Sequence, residues 1–253
     1  MAISLSSISR TARNALPPRV VIHGDGGVGK STFAAGAFDP VFLPFEDGLG
    51  GLDVDSFPLI TSYADALSAI DALRRDEHSF STAVIDSLDW LEPLVWAKVA
   101  SDAGKRSIED FSFGKGYAEA VPLWRDLLER LNALRAERGM AVILIAHSEI
   151  KRFEAPDSEP FDRYQIKLHK TANALVREWA DVIGFAHHET SIRKETVGFQ
   201  QRARGVATGR RLLRVVETPA CVAKNRYTMP DTIELSWSAL MAAMAKQPAA
   251  QAA

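Results

Sequence analysis

Residues Gly24, Asp25, Gly26, Gly27, Val28, Gly29, Lys30 and Ser31 run consecutively and match GxxxxGK[ST] in full. Glycines let a backbone wrap a polyphosphate with its N–H groups turned inward. In such a loop the lysine reaches the β- and γ-phosphates and the hydroxyl ligates Mg²⁺, which assigns those parts to Lys30 and Ser31. Thr32 joins the loop residues expected against the nucleotide. The context fits: the apolar run Val20-Val21-Ile22 precedes the loop, and a helix beginning at Ser31 offers its N-terminus to the same anion. The pattern implies a nucleoside triphosphatase that takes ATP and Mg²⁺.

Phosphoryl transfer of this kind needs a second carboxylate near the metal, at the end of a neighbouring buried strand. Ala83-Val84-Ile85-Asp86 supplies it, so Asp86 is the expected second metal residue beside Ser31. Hydrolysis also needs a group to orient or deprotonate water. Glu46, at the end of the second predicted strand, is the candidate base, with Asp47 beside it as the alternative.

The elements that must hold these groups follow from periodicity. Strands are expected at 19–23, 41–45, 82–86, 140–146 and 182–186. Residues 63–75 form a helix with Ala66, Leu67, Ile70 and Leu73 on one stripe, and residues 88–99 are mostly helical. Residues 101–116 read as a polar loop, and residues 124–138 as an amphipathic helix with Leu127, Leu131 and Leu134 at helical spacing. Residues 148–170, with Pro156, Pro160 and many charges, read as a long mobile loop. A short helix at 171–179, a β-ribbon reaching 235 and a last helix at 236–245 complete the chain. Strands alternating with helices mean an α/β fold with a mostly parallel central sheet, extended by antiparallel ribbon near the C-terminus.

The 253 residues suit one core at 19–245, behind a leader at 1–18 that can serve as an assembly arm and ahead of a low-complexity tail at 246–253. The formal net charge of −2 leaves nucleic-acid contact to local basic patches. A single cysteine, Cys221, excludes an internal disulfide and suits a reducing cytoplasm, and no apolar run is long enough for a membrane span. Cys221 itself, and Trp90, Trp96, Trp124 and Trp179, read as packing residues.

The order of phosphate loop, Phe45-Glu46-Asp47 and Val84-Ile85-Asp86-Ser87 resembles the RecA-like recombinase core. The resemblance implies that Glu46 is the catalytic base and that His147, ending the strand where the family usually has glutamine, senses the nucleotide. Asn173-Ala174-Leu175 resembles the helix that follows the family's DNA-binding loop. Val222-Ala223-Lys224-Asn225-Arg226 resembles its basic-Asn-basic strand, which implies that Lys224 and Arg226 reach a neighbouring subunit's triphosphate and act in catalysis there. The small size, Phe113-Gly114-Lys115-Gly116-Tyr117 and Lys224-Asn225-Arg226-Tyr227 are similar to the compact RecA-like single-strand annealing ATPases of bacteriophages. That resemblance implies a self-assembling, ATP-dependent recombination protein on single-stranded DNA, working beside a single-strand-binding protein in a bacterial host cytosol. The alternative is a P-loop ATPase that loads a helicase or remodels another protein.

Single-strand binding wants cations along a groove and rings for stacking. Lys105, Arg106, Phe113, Lys115 and Tyr117 form one such candidate patch, and Lys151, Arg152, Lys167 and Lys170 a second. A third basic run spans Arg193, Lys194, Arg202, Arg204, Arg210, Arg211 and Arg214.

Overall fold

The computed structural model describes residues 16–154, 159–197 and 200–245, with side chains described outside 191–207. Most of the expected leader and all of the tail lie outside the described residues.

Strand β1 (Arg19–Gly24) is buried from Val20 onward, and successive side chains feed opposite cores. Val21 belongs to one apolar cluster, while Val20 and Ile22 belong to the other. The same alternation divides Leu43 from Phe42 in β2 (Pro40–Pro44), Ile85 from Val84 in β4 (Thr82–Asp86) and Leu144 from Ile143 in β5 (Ala141–Phe153). Helices α2 (Tyr63–Arg75), α3 (Leu88–Asp102), α4 (Lys115–Arg138) and α5 (Lys170–Trp179) build the first core. Helices α1 (Lys30–Ala35) and α6 (Trp237–Ala245) build the second. The result is an α/β fold with helices on both faces of the sheet.

The remaining strands are β3 (Asp55–Ser56), β6 (Phe161–Ile166), β7 (Val182–Val197), β8 (Gln200–Arg214), β9 (Lys224–Asn225) and β10 (Thr232–Glu234). The sheet order is β10-β8-β7-β1-β5-β4-β2-β3, with β6 on β5 and β9 on β7. Pairings from β7 through β3 are parallel, and those of β8, β10, β9 and β6 are antiparallel. The mostly parallel sheet with an antiparallel C-terminal extension is thus as the sequence implies.

Two strands run past the end of β1. The last β1 residue, Gly24, pairs with His147 of β5 and Ala186 of β7. Beyond it β5 pairs only with β6, from Ser148 to Phe153, and β7 pairs only with β8, from His187 to Val197. Two antiparallel ribbons therefore leave the sheet at the edge that carries the phosphate loop.

The structure corrects the sequence reading in three places. Most of the expected mobile loop at 148–170 is the β5–β6 ribbon, closed toward its tip by Phe153 and Phe161, whose rings lie 5.4 Å apart. Helix α4 begins at Lys115, well before Trp124, and carries Pro122 within it. Trp90, read as a packing residue, is 52% exposed, whereas Trp124 and Cys221 are buried as expected.

Candidate active site

Gly24 closes β1 in a place with no room for a side chain: a Cβ there would collide with the Ala186 carbonyl and lie 3.2 Å from the Ala186 Cβ. Gly27 and Gly29 take φ of 74° and 103°, in the region that favours glycine. The loop folds back on its own lysine, whose Nζ donates to the Gly24 and Asp25 carbonyls at 3.1 and 2.9 Å. Burial pulls the Lys30 ammonium below the ordinary lysine range, against the opposing pull of Asp86, Asp89, Glu46 and Asp25. A polyphosphate seated in the loop would supply the full counter-charge that the two carbonyls lack.

The Ser31 hydroxyl donates to Asp86 Oδ2 over 2.7 Å. Burial raises the Asp86 carboxyl above the usual range, with the bond from Ser31 and the Lys30 charge opposing and the Glu46 charge reinforcing. A cation between Ser31 and Asp86 would reverse that balance. Mg²⁺ takes hard oxygen donors and keeps part of its shell for water and phosphate. One hydroxyl and one carboxylate, already adjacent, fit it.

Glu46 follows β2, whose Pro44 pairs with Asp86, and its Oε1 accepts from Ser87 Oγ over 2.9 Å. This bond aims one carboxylate oxygen and leaves the other for a water. His147, level with Gly24 on β5, donates from Nδ1 to Asp89 Oδ2 at 2.9 Å and from its backbone N to Asp89 Oδ1 at 3.0 Å. Burial alone would raise Asp89, but these hydrogen bonds outweigh it and hold the carboxyl below its ordinary range.

Lys30, Ser31, Glu46, Asp86 and His147 line one cleft of about 430 Å³ at the carboxyl ends of the parallel strands, where α/β sheets take their ligands. The cleft joins a phosphate cradle, an oxygen pair for a divalent cation and an aimed carboxylate. A family model described as an AAA domain matches residues 16–227. The chain belongs to that family. As an AAA domain it is a P-loop ATPase, and this cleft is its candidate nucleotide site. It is also similar to the SPbeta prophage-derived uncharacterized protein YorG of Bacillus subtilis (strain 168), at 26% identity over 137 residues. That match takes in 51% of this chain and 40% of the length of YorG.

The remaining candidates of the AAA domain are dispersed. Lys105 donates to the Asp110 carbonyl at 3.0 Å and lies over the Phe111 ring; Arg106 and Lys115 are exposed. Phe113 is fully exposed, with φ of 58°. Tyr117 differs from expectation: it sits in the first turn of α4, stacked on His169 with centroids 4.1 Å apart and edge-on to Trp96. Its ring already has a partner, so it is not a free platform for a base. Lys151 pairs with Glu149 at 2.7 Å, Lys167 approaches Asp89 at 3.9 Å, and Arg152 and Lys170 are exposed.

Lys224 and Arg226 do project together, but toward the end of α5. Lys224 Nζ donates to the Arg177 and Glu178 carbonyls at 2.6 and 3.2 Å, and Arg226 Nη2 to the Glu178 carbonyl at 3.1 Å. Arg226 also pairs with Asp181 at 3.2 Å. Their strand pairs with Val182 and Ile183, at the end of β7 away from Gly24, so neither cation serves its own phosphate loop. Lys224 borders a separate groove of about 630 Å³ with Arg177, Glu178 and Asn225.

Sequence reasoning missed one residue of the cleft, Arg211, and two that hold its neighbours, Asp89 and His23. Asp89 looks like a first-turn acid of α3 and shows its role only through the fold. Arg211 lines the same cleft as Lys30 although it reads as one cation of a basic run. His23, fully buried beneath the loop, donates from Nε2 to the Val222 carbonyl at 2.8 Å and accepts at Nδ1 from Ser148 Oγ at 2.9 Å. The carbonyl can only accept, which fixes this tautomer. No helix among the described residues is long and apolar enough to cross a membrane.

Proposed function

We propose that this ATPase is a single-stranded-DNA-binding recombination or annealing protein that assembles on itself, with Mg²⁺–ATP at the subunit interfaces. The observation that carries the reading is the pair of ribbons leaving the sheet edge beside the phosphate loop. A strand lying across both would sit above the nucleotide, so binding and hydrolysis would communicate through β5 and β7. The β5–β6 ribbon offers exposed Arg152, Ile150 and Phe153, a mixture that suits backbone phosphates and base faces. The β7–β8 ribbon brings Arg193 opposite Arg204 and Arg202 opposite Glu195 in register, an excess of like charge that a polyanion would relieve.

Lys224 and Arg226 take the role of interface cations, exchanging helix-end carbonyls for a neighbour's triphosphate. The prophage origin of YorG supports a phage-encoded protein acting in a host cytosol. Imaging the protein with single-stranded DNA and a non-hydrolysable ATP analogue tests the reading. Ordered assemblies on bare DNA are expected, together with hydrolysis stimulated by DNA and DNA affinity that falls steeply with salt. Assembly only in the presence of a helicase or another partner protein would favour a loader or remodelling factor. Lys30→Ala, which removes the loop's cation, should weaken ATP binding by about 2–5 kcal/mol.

A further inference from the structure

We infer that Arg211 is a catalytic cation supplied in cis to the terminal phosphate of the bound nucleotide. This rests on the ATPase reading of the cleft and not on the DNA-binding one. Arg211 lies on β8, level with His188 of β7, and its carbonyl accepts from Leu235 N at 3.0 Å. The strand is thus held from both sides, by β7 and by the segment around β10. From this fixed base the side chain reaches over the phosphate loop. A Cβ added at Gly29 would strike the Arg211 guanidinium, and would lie 3.5 Å from its Cδ and 3.6 Å from its Cζ. Gly29 therefore meets two demands with one missing side chain: its φ of 103° and the passage of an arginine across it.

Arg211 lines the same cleft as Lys30, Ser31, Glu46 and Asp86. It is exposed, and among the described residues its guanidinium has neither an ion pair nor a hydrogen bond. The two neighbouring cations behave otherwise: Lys30 is held by loop carbonyls, and Arg210 pairs with Glu189 at 3.4 Å. A guanidinium with free donors, beside a cradle for phosphates and in one cleft with Glu46, is suited to the charge that spreads over the phosphoryl oxygens during transfer. It also differs from Lys224 and Arg226, which lie at the other end of β7 and need a second subunit.

The test compares Arg211→Ala and Arg211→Lys with the parent chain, each with its melting curve, for ADP, a non-hydrolysable ATP analogue and ADP with aluminium fluoride. Arg211→Ala is expected to bind ADP within about twofold of the parent. It should bind the analogue about tenfold more weakly and lose the most with aluminium fluoride. Its kcat should fall by 10³-fold or more, the scale of an arginine acting on a transferred phosphoryl group. Arg211→Lys should recover part of that loss. The same loss of analogue affinity relative to ADP affinity on Arg211→Ala should persist in a Lys224→Ala, Arg226→Ala background below the assembly concentration, where binding is read in place of turnover. Equal losses for ADP and the analogue would overturn the inference and leave Arg211 as a brace on the loop. Unchanged affinities and turnover would overturn it outright. A parent that binds nucleotide without hydrolysing it would defeat the proposed function, and the ratio of analogue to ADP affinity would still decide the role of Arg211.

Discussion

Ser31, in α1 after β1, and Asp86, at the end of β4, belong to elements on either side of β5, and the hydroxyl and carboxylate meet at 2.7 Å. The order of the strands brings the pair together. Asp86→Asn preserves the hydrogen bond, because an amide oxygen still accepts, and removes the charge. Burial already disfavours that charge, with Glu46 adding repulsion. The variant is therefore expected to melt higher than the parent without ligand, while kcat falls by about 10²-fold or more. Nucleotide affinity should lose its dependence on Mg²⁺. A lower melting temperature with full Mg²⁺ dependence would mean that Asp86 only braces the loop.

Glu46→Gln keeps an oxygen for the Ser87 hydroxyl and loses the proton acceptor. Hydrolysis should slow by about 10²–10⁴-fold with nucleotide affinity preserved. Single-turnover rates, measured beside Asp47→Asn, decide between the two neighbours.

Two buried groups set opposing acid responses. His23 is held neutral by burial, with its pKa lowered to about 4 from 6.5. Its contribution is whole above 6.5 and is lost as pH falls toward 4. Burial pushes Glu92 up to about 7 from 4.5, against the bond it accepts from the His169 backbone. Its contribution is whole below 4.5 and is lost as pH rises toward 7. Glu92→Gln keeps the hydrogen bond and removes the second response. It should be more stable than the parent by about 3 kcal/mol at pH 7 and equal to it near pH 4. Urea unfolding at both pH values measures this, and a constant offset would rule it out.

Phe113 is a large ring held fully exposed in a left-handed backbone conformation, which asparagine adopts at lower cost. Phe113→Asn should leave the melting temperature unchanged or higher. If Phe113 stacks on bases, single-strand affinity should fall by about 1–3 kcal/mol. Anisotropy titration reads the loss. Tyr117→Ala should instead lower stability, because its ring packs on His169 and Trp96.

The phosphate loop, Asp86 and Glu46 were legible because each ends or follows a short strand buried along nearly all its length, and the motif is encoded within a few residues. The β5–β6 ribbon was not. In β6 the inward positions include Arg163, a charge paired with Glu217 and Phe153 from elsewhere in the fold, so apolar alternation fails. The start of α4 was hidden for a different reason: Gly114, Gly116 and Pro122 look like breakers, but Gly116 is buried against Ile108 and Phe111 where a side chain would not fit. Asp89 depends on His147, 58 residues away, Arg211 on Gly29 and Tyr117 on His169, partners that local pattern cannot supply.

Strand β7 is one continuous rod of 16 residues, about 50 Å from end to end. Near its start, at Val182 and Ile183, it holds Asn225 and Lys224; farther along its Ala186 presses on Gly24, and its far part is ribbon. The register shift between His188 and Thr190 is the one irregularity in its pairing with β8, and it lies between the nucleotide and the tip. On the proposed function, a strand bound along the ribbon would act as on a lever with its fulcrum beside the phosphate loop. On that reading, stiffening that point, rather than altering any side chain in the cleft, is the change that would disconnect the ribbon from the cleft.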